Sequence, residues 1–166
     1  MSTIEKKAVK AGRYVNTEHV DTLIRNYKKD RWMQNSERMG KEDTLGIWFS
    51  IDELEEFMQT AKLHGADGIR LCFGVYGEKA SRKGMEGRQT IALVATTADE
   101  ENTAYPIGKD VYTQRNGVSS LLAYNSGIPW PFINPTGPVP PSSTTMSKAL
   151  EVGALMVADE NGLTII

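Results

Sequence analysis

Ser50 and Glu53 stand three residues apart, between two runs of alternating apolar residues. This is the spacing of a capping box, in which each side chain satisfies the other's orphan backbone N–H at a helix start. Phe49 before the cap and Leu54 after it are placed to form a hydrophobic staple. Leu54, Phe57, Met58 and Ala61 then recur at helical spacing, and Gly65 offers the left-handed residue that ends a helix. Thr44–Phe49 and Gly68–Tyr76 alternate as strands on either side. A strand, helix and strand joined by short links over residues 44–76 predicts a βαβ unit with parallel strands and a right-handed crossover.

The rest of the chain extends this centre. Asn16 caps a predicted helix over residues 16–31, with Val20, Leu23, Ile24 and Tyr27 on one stripe and Lys28 and Lys29 at its end. The polar stretch "MQNSERMGKED" reads as a loop. "QTIALVATT" reads as a third strand, joined to the second by a Gly-, Lys- and Arg-rich loop that suits antiparallel neighbours. "VSSLLAYNSG" fits a short helix or a strand. "IPWPFINPTGPVPPSS" cannot form a helix or a central strand, since proline lacks the N–H a ladder needs. It is expected to be an extended, Pro-rich C-terminal loop. The tail offers a helix from about Met146 or a hairpin around Asn161-Gly162. The expected architecture is an α/β domain with an α+β-like mixed sheet. Residues 1–15 form a loose lead-in and residues 16–166 a single domain.

Strand periodicity sharpens the picture of the sheet. Ile69, Leu71, Phe73 and Val75 form the long apolar row and are expected to face the crossover helix with Leu45, Ile47 and Phe49. Trp48, Arg70, Cys72 and Tyr76 then share the other face, joined by the weaker row Thr90, Ala92, Val94 and Thr96. A covered arginine needs a partner. Asp43, Asp67 and Glu100 are the expected candidates. The competing reading makes Trp48, Arg70 and Tyr76 a pocket for a small anionic or planar ligand. The guanidinium fork can hold two oxygens at once, and the rings supply an apolar floor. Trp130 and Phe132, in the Pro-rich loop, either plug this face or form an interface, with a second copy of the chain as one candidate partner.

Composition narrows the classes. The chain has 166 residues and a net charge of -2, with a pI of about 5.7. This is unlike the basic stripe of a nucleic-acid binder, so no nucleic-acid partner is expected. Lys79, Arg82, Lys83 and Arg88 read as a solvated hairpin tip, and the glycines near them match no phosphate-loop or dinucleotide pattern. One cysteine, Cys72, allows no internal disulfide and reads as a small buried residue. Two separate histidines, His19 and His64, offer no metal-ligand spacing, so no metal or cofactor is expected. No catalytic set stands out. No apolar run suits a signal peptide or a bilayer span, and cytoplasmic residence is the default expectation.

"WFSIDELEEF", "GADGIRLCFGVYG" and the later "NPTGPVPP" together resemble a group of small uncharacterised bacterial proteins. The likeness covers residues 44–97 and, more thinly, 134–141. It implies no known activity and carries over no functional residues. Cysteines flank the Pro-Pro pair in that group, where this chain has Val139 and Ser142, which speaks against a metal or redox role. Two functions remain in view: a non-catalytic binding or interaction module that self-associates, and a small enzyme acting on an anionic substrate held by Arg70.

Overall fold

In a computed structural model of the chain, Ser50 and Glu53 close the capping box as the spacing predicts. The Glu53 N–H donates to the Ser50 hydroxyl at 3.1 Å, and the Ser50 N–H donates to the Glu53 carboxylate at 2.9 Å. The structure describes residues 10–80, 82–99, 101, 108–130, 157–159 and 162–164. The chain divides into two compact units, Met1–Gly12 with Gly46–Phe132, and Arg13–Leu45 with Ile133–Ile166. No helix among the described residues is long and apolar enough to cross a membrane.

The first unit contains β1 (Gly46–Trp48), α3 (Ile51–Leu63), β2 (Gly68–Val75) and β3 (Gln89–Thr97). It continues with β4 (Lys109–Asp110), β5 (Tyr112–Arg115), β6 (Val118–Leu121), β7 (Ala123–Tyr124) and β8 (Ile128–Trp130). The fold is mixed α and β, as the sequence suggests. The strand–helix–strand order of residues 44–76 is present, but the parallel pairing is not. β1 pairs antiparallel with β8, from Gly46↔Trp130 to Trp48↔Ile128. β2 pairs antiparallel with β3, from Gly68↔Thr96 to Val75↔Gln89. Every pairing among the described residues is antiparallel. The reason is local. The loop after Tyr76 returns the chain at once, so β3 takes the edge of β2 that a crossover would have given to β1. β8 then takes β1 despite Pro129, because a two-stranded ribbon leaves a proline room on an outer edge.

The helix face of the sheet matches the periodicity only in part: Ile69 packs on the core as expected, while Leu71, Phe73 and Val75 are exposed rather than covered by α3. Phe57 and Ala61 of α3 pack with Leu93, Ala95 and Val111, flanked by Phe49, Leu54, Ile69, Ile91, Leu122 and Tyr124. Tyr124 lies over Phe57 at 5.6 Å between ring centroids. Met58, expected in the buried stripe, is exposed instead. The helix ends at Gly65 with a φ of 81°, and the His64 ring meets the Thr60 carbonyl at 2.9 Å. β5 and β6 form a hairpin around Asn116-Gly117, both with positive φ, the pair that a type I′ turn favours.

Glu53 also ties the helix start to the sheet, because the Tyr124 hydroxyl donates to its carboxylate at 3.1 Å. The Ser50 backbone N–H, then the Ser50 and Tyr124 hydroxyls, hold Glu53 below its ordinary pKa of 4.5. A depressed carboxylate stabilises the fold fully above its unfolded pKa and loses that contribution as pH falls through the folded value. Tyr124 is raised above its ordinary 10.0, first by its hydrogen bond to Glu53. That contribution is full below about pH 10 and is lost as pH rises through the folded value. Wild-type stability should therefore fall below pH 4.5 by a component that Glu53→Gln lacks, as read by urea denaturation across pH. Equal acid slopes in both proteins would show that the box contributes nothing. Ser50→Ala should destabilise by about 1 kcal/mol in the same measurement.

In the second unit, α1 (Thr17–Tyr27) starts at Asn16, whose side chain accepts from the His19 N–H at 3.0 Å. The helix does not stop near residue 31. It passes through a π-helical turn, Lys28–Trp32, into α2 (Met33–Met39), which ends at Gly40 in the left-handed region. The first seven residues of the predicted loop "MQNSERMGKED" are thus helical. Met, Gln, Glu and Arg are good helix formers. The wide turn moves Trp32 and Ser36 inward, so the stretch needs no apolar stripe of its own. Asp43 is buried there, accepting from Thr44 N–H at 2.8 Å and Asn35 at 3.1 Å, while its own N–H donates to Ser36. The Trp32 indole donates to the Asp43 carbonyl at 2.8 Å, and the Lys28 ammonium lies 5.3 Å from the Trp32 ring centre. At the end of the tail, β9 (Val157–Asp159) and β10 (Gly162–Thr164) pair antiparallel, as the hairpin alternative expects. Phe132, residues 131–143 of the Pro-rich stretch and the alternative helix from Met146 to residue 156 lie outside the described residues.

Candidate functional site

The backbone of β2 decides which of its groups are available. The Tyr76 N–H donates to the Arg88 carbonyl at 3.0 Å. On β3, the Ala95 N–H donates to Leu122 and the Ala95 carbonyl accepts from Val111, both on the side away from β2. In an antiparallel ladder, residues alternate between hydrogen-bonded and non-hydrogen-bonded pairs. Even-numbered residues of β2 therefore face β3 with their N–H and C=O groups. Ile69, Leu71, Phe73 and Val75 turn theirs outward. Among the described residues β2 has no other strand partner, so it is the edge of its sheet.

The side chains of the even row form two polar ties. Arg70 donates to the Asp110 carboxylate at 2.5 Å and to the Gly108 carbonyl at 3.0 Å. Among the described residues its carboxylate partner is thus Asp110 rather than Asp43 or Asp67. Asp43 belongs to the knot in the other unit, and Asp67 accepts from the Ala98 N–H. Glu100 lies outside the described residues. Asp110 reaches Arg70 because β4 pairs with β3 at Thr96, a topology the local pattern could not reveal. The Tyr76 hydroxyl donates to the Asn125 side chain at 2.9 Å, and Asn125 donates to the Ile91 carbonyl at 3.0 Å and Thr90 at 3.3 Å. Asn125→Ala should destabilise by about 1–3 kcal/mol by orphaning these partly buried groups, measured by chemical denaturation. An unchanged midpoint would show that water replaces the amide.

The expected pocket loses its third wall. Trp48 was to stand beside Arg70 through β1–β2 pairing, which does not form. Trp48 is instead 49% exposed, and its backbone is in register with Ile128. Trp130 is not in a loop but in β8, against Gly46 of β1. Arg70 and Tyr76 share a face but bind different partners, Asp110 and Asn125. The weaker row of β3 does join them: Arg70↔Val94, Cys72↔Ala92 and Gly74↔Thr90 are opposite one another.

The odd row supplies the more unusual feature. Ile69 packs against the core, but α3 does not reach its neighbours. Leu71 is 62% exposed, Phe73 79% and Val75 63%. These three apolar side chains lie on the same residues whose backbone groups point outward. No family model, curated protein or solved structure matches the chain.

Proposed function

We propose that this protein is a non-catalytic interaction module that engages an extended polypeptide along β2, in a reducing, cytoplasmic setting. The observation that carries the reading is the coincidence of an open backbone edge with three exposed apolar side chains on one strand. Such a strand is a template for further pairing, and folded proteins ordinarily blunt it with proline, lysine or a covering element. Among the described residues, β2 has none of these on its odd positions. Strand addition would satisfy the outward backbone groups and bury Leu71, Phe73 and Val75, each gaining about 1.5–3 kcal/mol when fully covered.

The alternative, an enzyme acting on an anion at Arg70, starts at a disadvantage. The guanidinium already holds a carboxylate and a carbonyl, so a substrate would have to displace Asp110. A thermal-shift screen of anionic metabolites should give no stabilisation that Arg70→Ala abolishes; one such hit would revive the enzyme.

The interaction reading requires that the apolar row be dispensable for folding. Phe73→Lys should leave stability within about 0.5 kcal/mol of wild type and should reduce binding of the apolar dye ANS. Unfolding of the variant, or undiminished dye binding, would rule the row out as a recognition surface.

A further inference from the structure

Resting on that reading, we infer that the partner which fits the β2 edge is a second copy of this chain, paired antiparallel about a twofold axis through Cys72. The outward groups belong to odd residues, so hydrogen-bonded pairs across the edge must join odd to odd. Centred on Cys72, the pairing sets Leu71 opposite Phe73 of the partner and Ile69 opposite Val75 of the partner, with both reciprocals. All four apolar residues of the row then meet apolar residues. Neighbouring registers fail in identifiable ways. Centring on Leu71 sets Val75 opposite the Asp67 carboxylate, and centring on Phe73 sets Ile69 opposite Gly77. Centring on Arg70 would stack two guanidinium groups, a repulsive cross-strand pair. With Cys72 at the centre, Arg70 faces only Gly74.

Charge along the hairpin agrees with this orientation. Asp67, Asp99 and Glu101 lie at one end of the β2–β3 hairpin, and at the other exposed Lys79, Arg82 and Lys83 outnumber Glu78 and Glu86. Antiparallel pairing brings the acidic end of one copy beside the basic end of the next. A parallel peptide, or an acidic one, would not be met in this way. The attraction is between exposed charges, so it should weaken as added salt shortens the Debye length.

Cys72 is the chain's only cysteine, which makes it a reporter of register. At the proposed axis it sits in a non-hydrogen-bonded pair with its own copy, with Cα atoms about 4.5 Å apart, inside the range a disulfide spans. The experiment is light scattering on the full chain across a concentration series, followed by copper-catalysed air oxidation. Two thiols are oxidised to one disulfide while dioxygen is reduced. Wild type should be a dimer at the upper concentrations, dissociate with salt and become covalently linked through Cys72. Phe73→Lys and Leu71→Lys should be folded monomers that do not cross-link under the same conditions. A wild-type monomer at every concentration would overturn the self-pairing. So would a dimer that persists in both lysine variants, or one that forms no Cys72 link. Should wild type be monomeric while Phe73→Lys still folds and loses dye binding, the interaction reading survives with a different partner. Should dye binding also be unchanged, both fall.

Discussion

Phe57→Ala is expected to destabilise the first unit by about 3–5 kcal/mol, the range for removing a buried phenylalanine. The ring is 6% exposed and is the largest apolar group that α3 contributes to the core. It meets Leu93, Ala95 and Val111 from the sheet and lies stacked over Tyr124. Tyr124 cannot simply collapse into the space, because its hydroxyl is held by Glu53 at the start of the same helix. The cavity would therefore stay largely open, which favours the upper part of the range. Since whole domains are stable by only about 5–15 kcal/mol, the variant should unfold early in urea, as followed by far-ultraviolet circular dichroism. A loss under about 1 kcal/mol would mean that α3 does not pack on the sheet through Phe57.

Gly127→Ala is the second large effect. A Cβ at this position would sit 2.4 Å from Ile47 Cγ2 and 2.6 Å from the Phe49 ring. Neither neighbour can yield cheaply. Ile47 is β-branched and stiff at its first torsion, within the β1–β8 ribbon. Phe49 is held against Tyr124 at 5.8 Å between ring centroids. Overpacking of this kind typically costs about 1–3 kcal/mol. The loss should appear as a lowered denaturation midpoint together with weakened β1–β8 pairing, seen as faster amide exchange at residues 46–48. A neutral Gly127→Ala would show that β8 does not lie against Ile47 and Phe49.

The elements that the sequence disclosed are those written in adjacent residues. Ser50, Glu53 and Gly65 delimit α3 because caps act over three or four positions. The alternation in Gly68–Val75 and Gln89–Thr97 is strong enough that the facing rows, Ile69 with Ala95 and Arg70 with Val94, follow from parity. Pairing across distance was not legible. β1 and β8 are about eighty residues apart in the chain, and the strand–helix–strand order of residues 44–76 is equally compatible with β1 beside β2 or elsewhere. That one choice separated Trp48 from Arg70 and Tyr76, and left Arg70 to Asp110. The β5–β6 hairpin carried a readable signal in Asn116-Gly117 that turn-rich surroundings obscured. The π-helical turn at Lys28–Trp32 shifts the phase of α2, so a fixed 3.6-residue period finds no stripe there. The candidate site was legible as a strand but not as an edge. The row Leu71, Phe73, Val75 looks like core in sequence, and only the limited reach of α3 leaves it exposed.

The central claim is that the outer edge of β2 is open in one copy of the chain and closes on another. Residue-resolved amide hydrogen exchange tests it most directly, because the ladder makes the two parities behave differently. At low protein concentration, Arg70, Cys72 and Gly74 should be protected by β3, while Leu71, Phe73 and Val75 exchange fast. At high concentration the odd residues should slow as well, and Phe73→Lys should remove that change. Odd-residue amides that are protected at every dilution would mean that β2 is already covered within one copy of the chain, and would contradict the account.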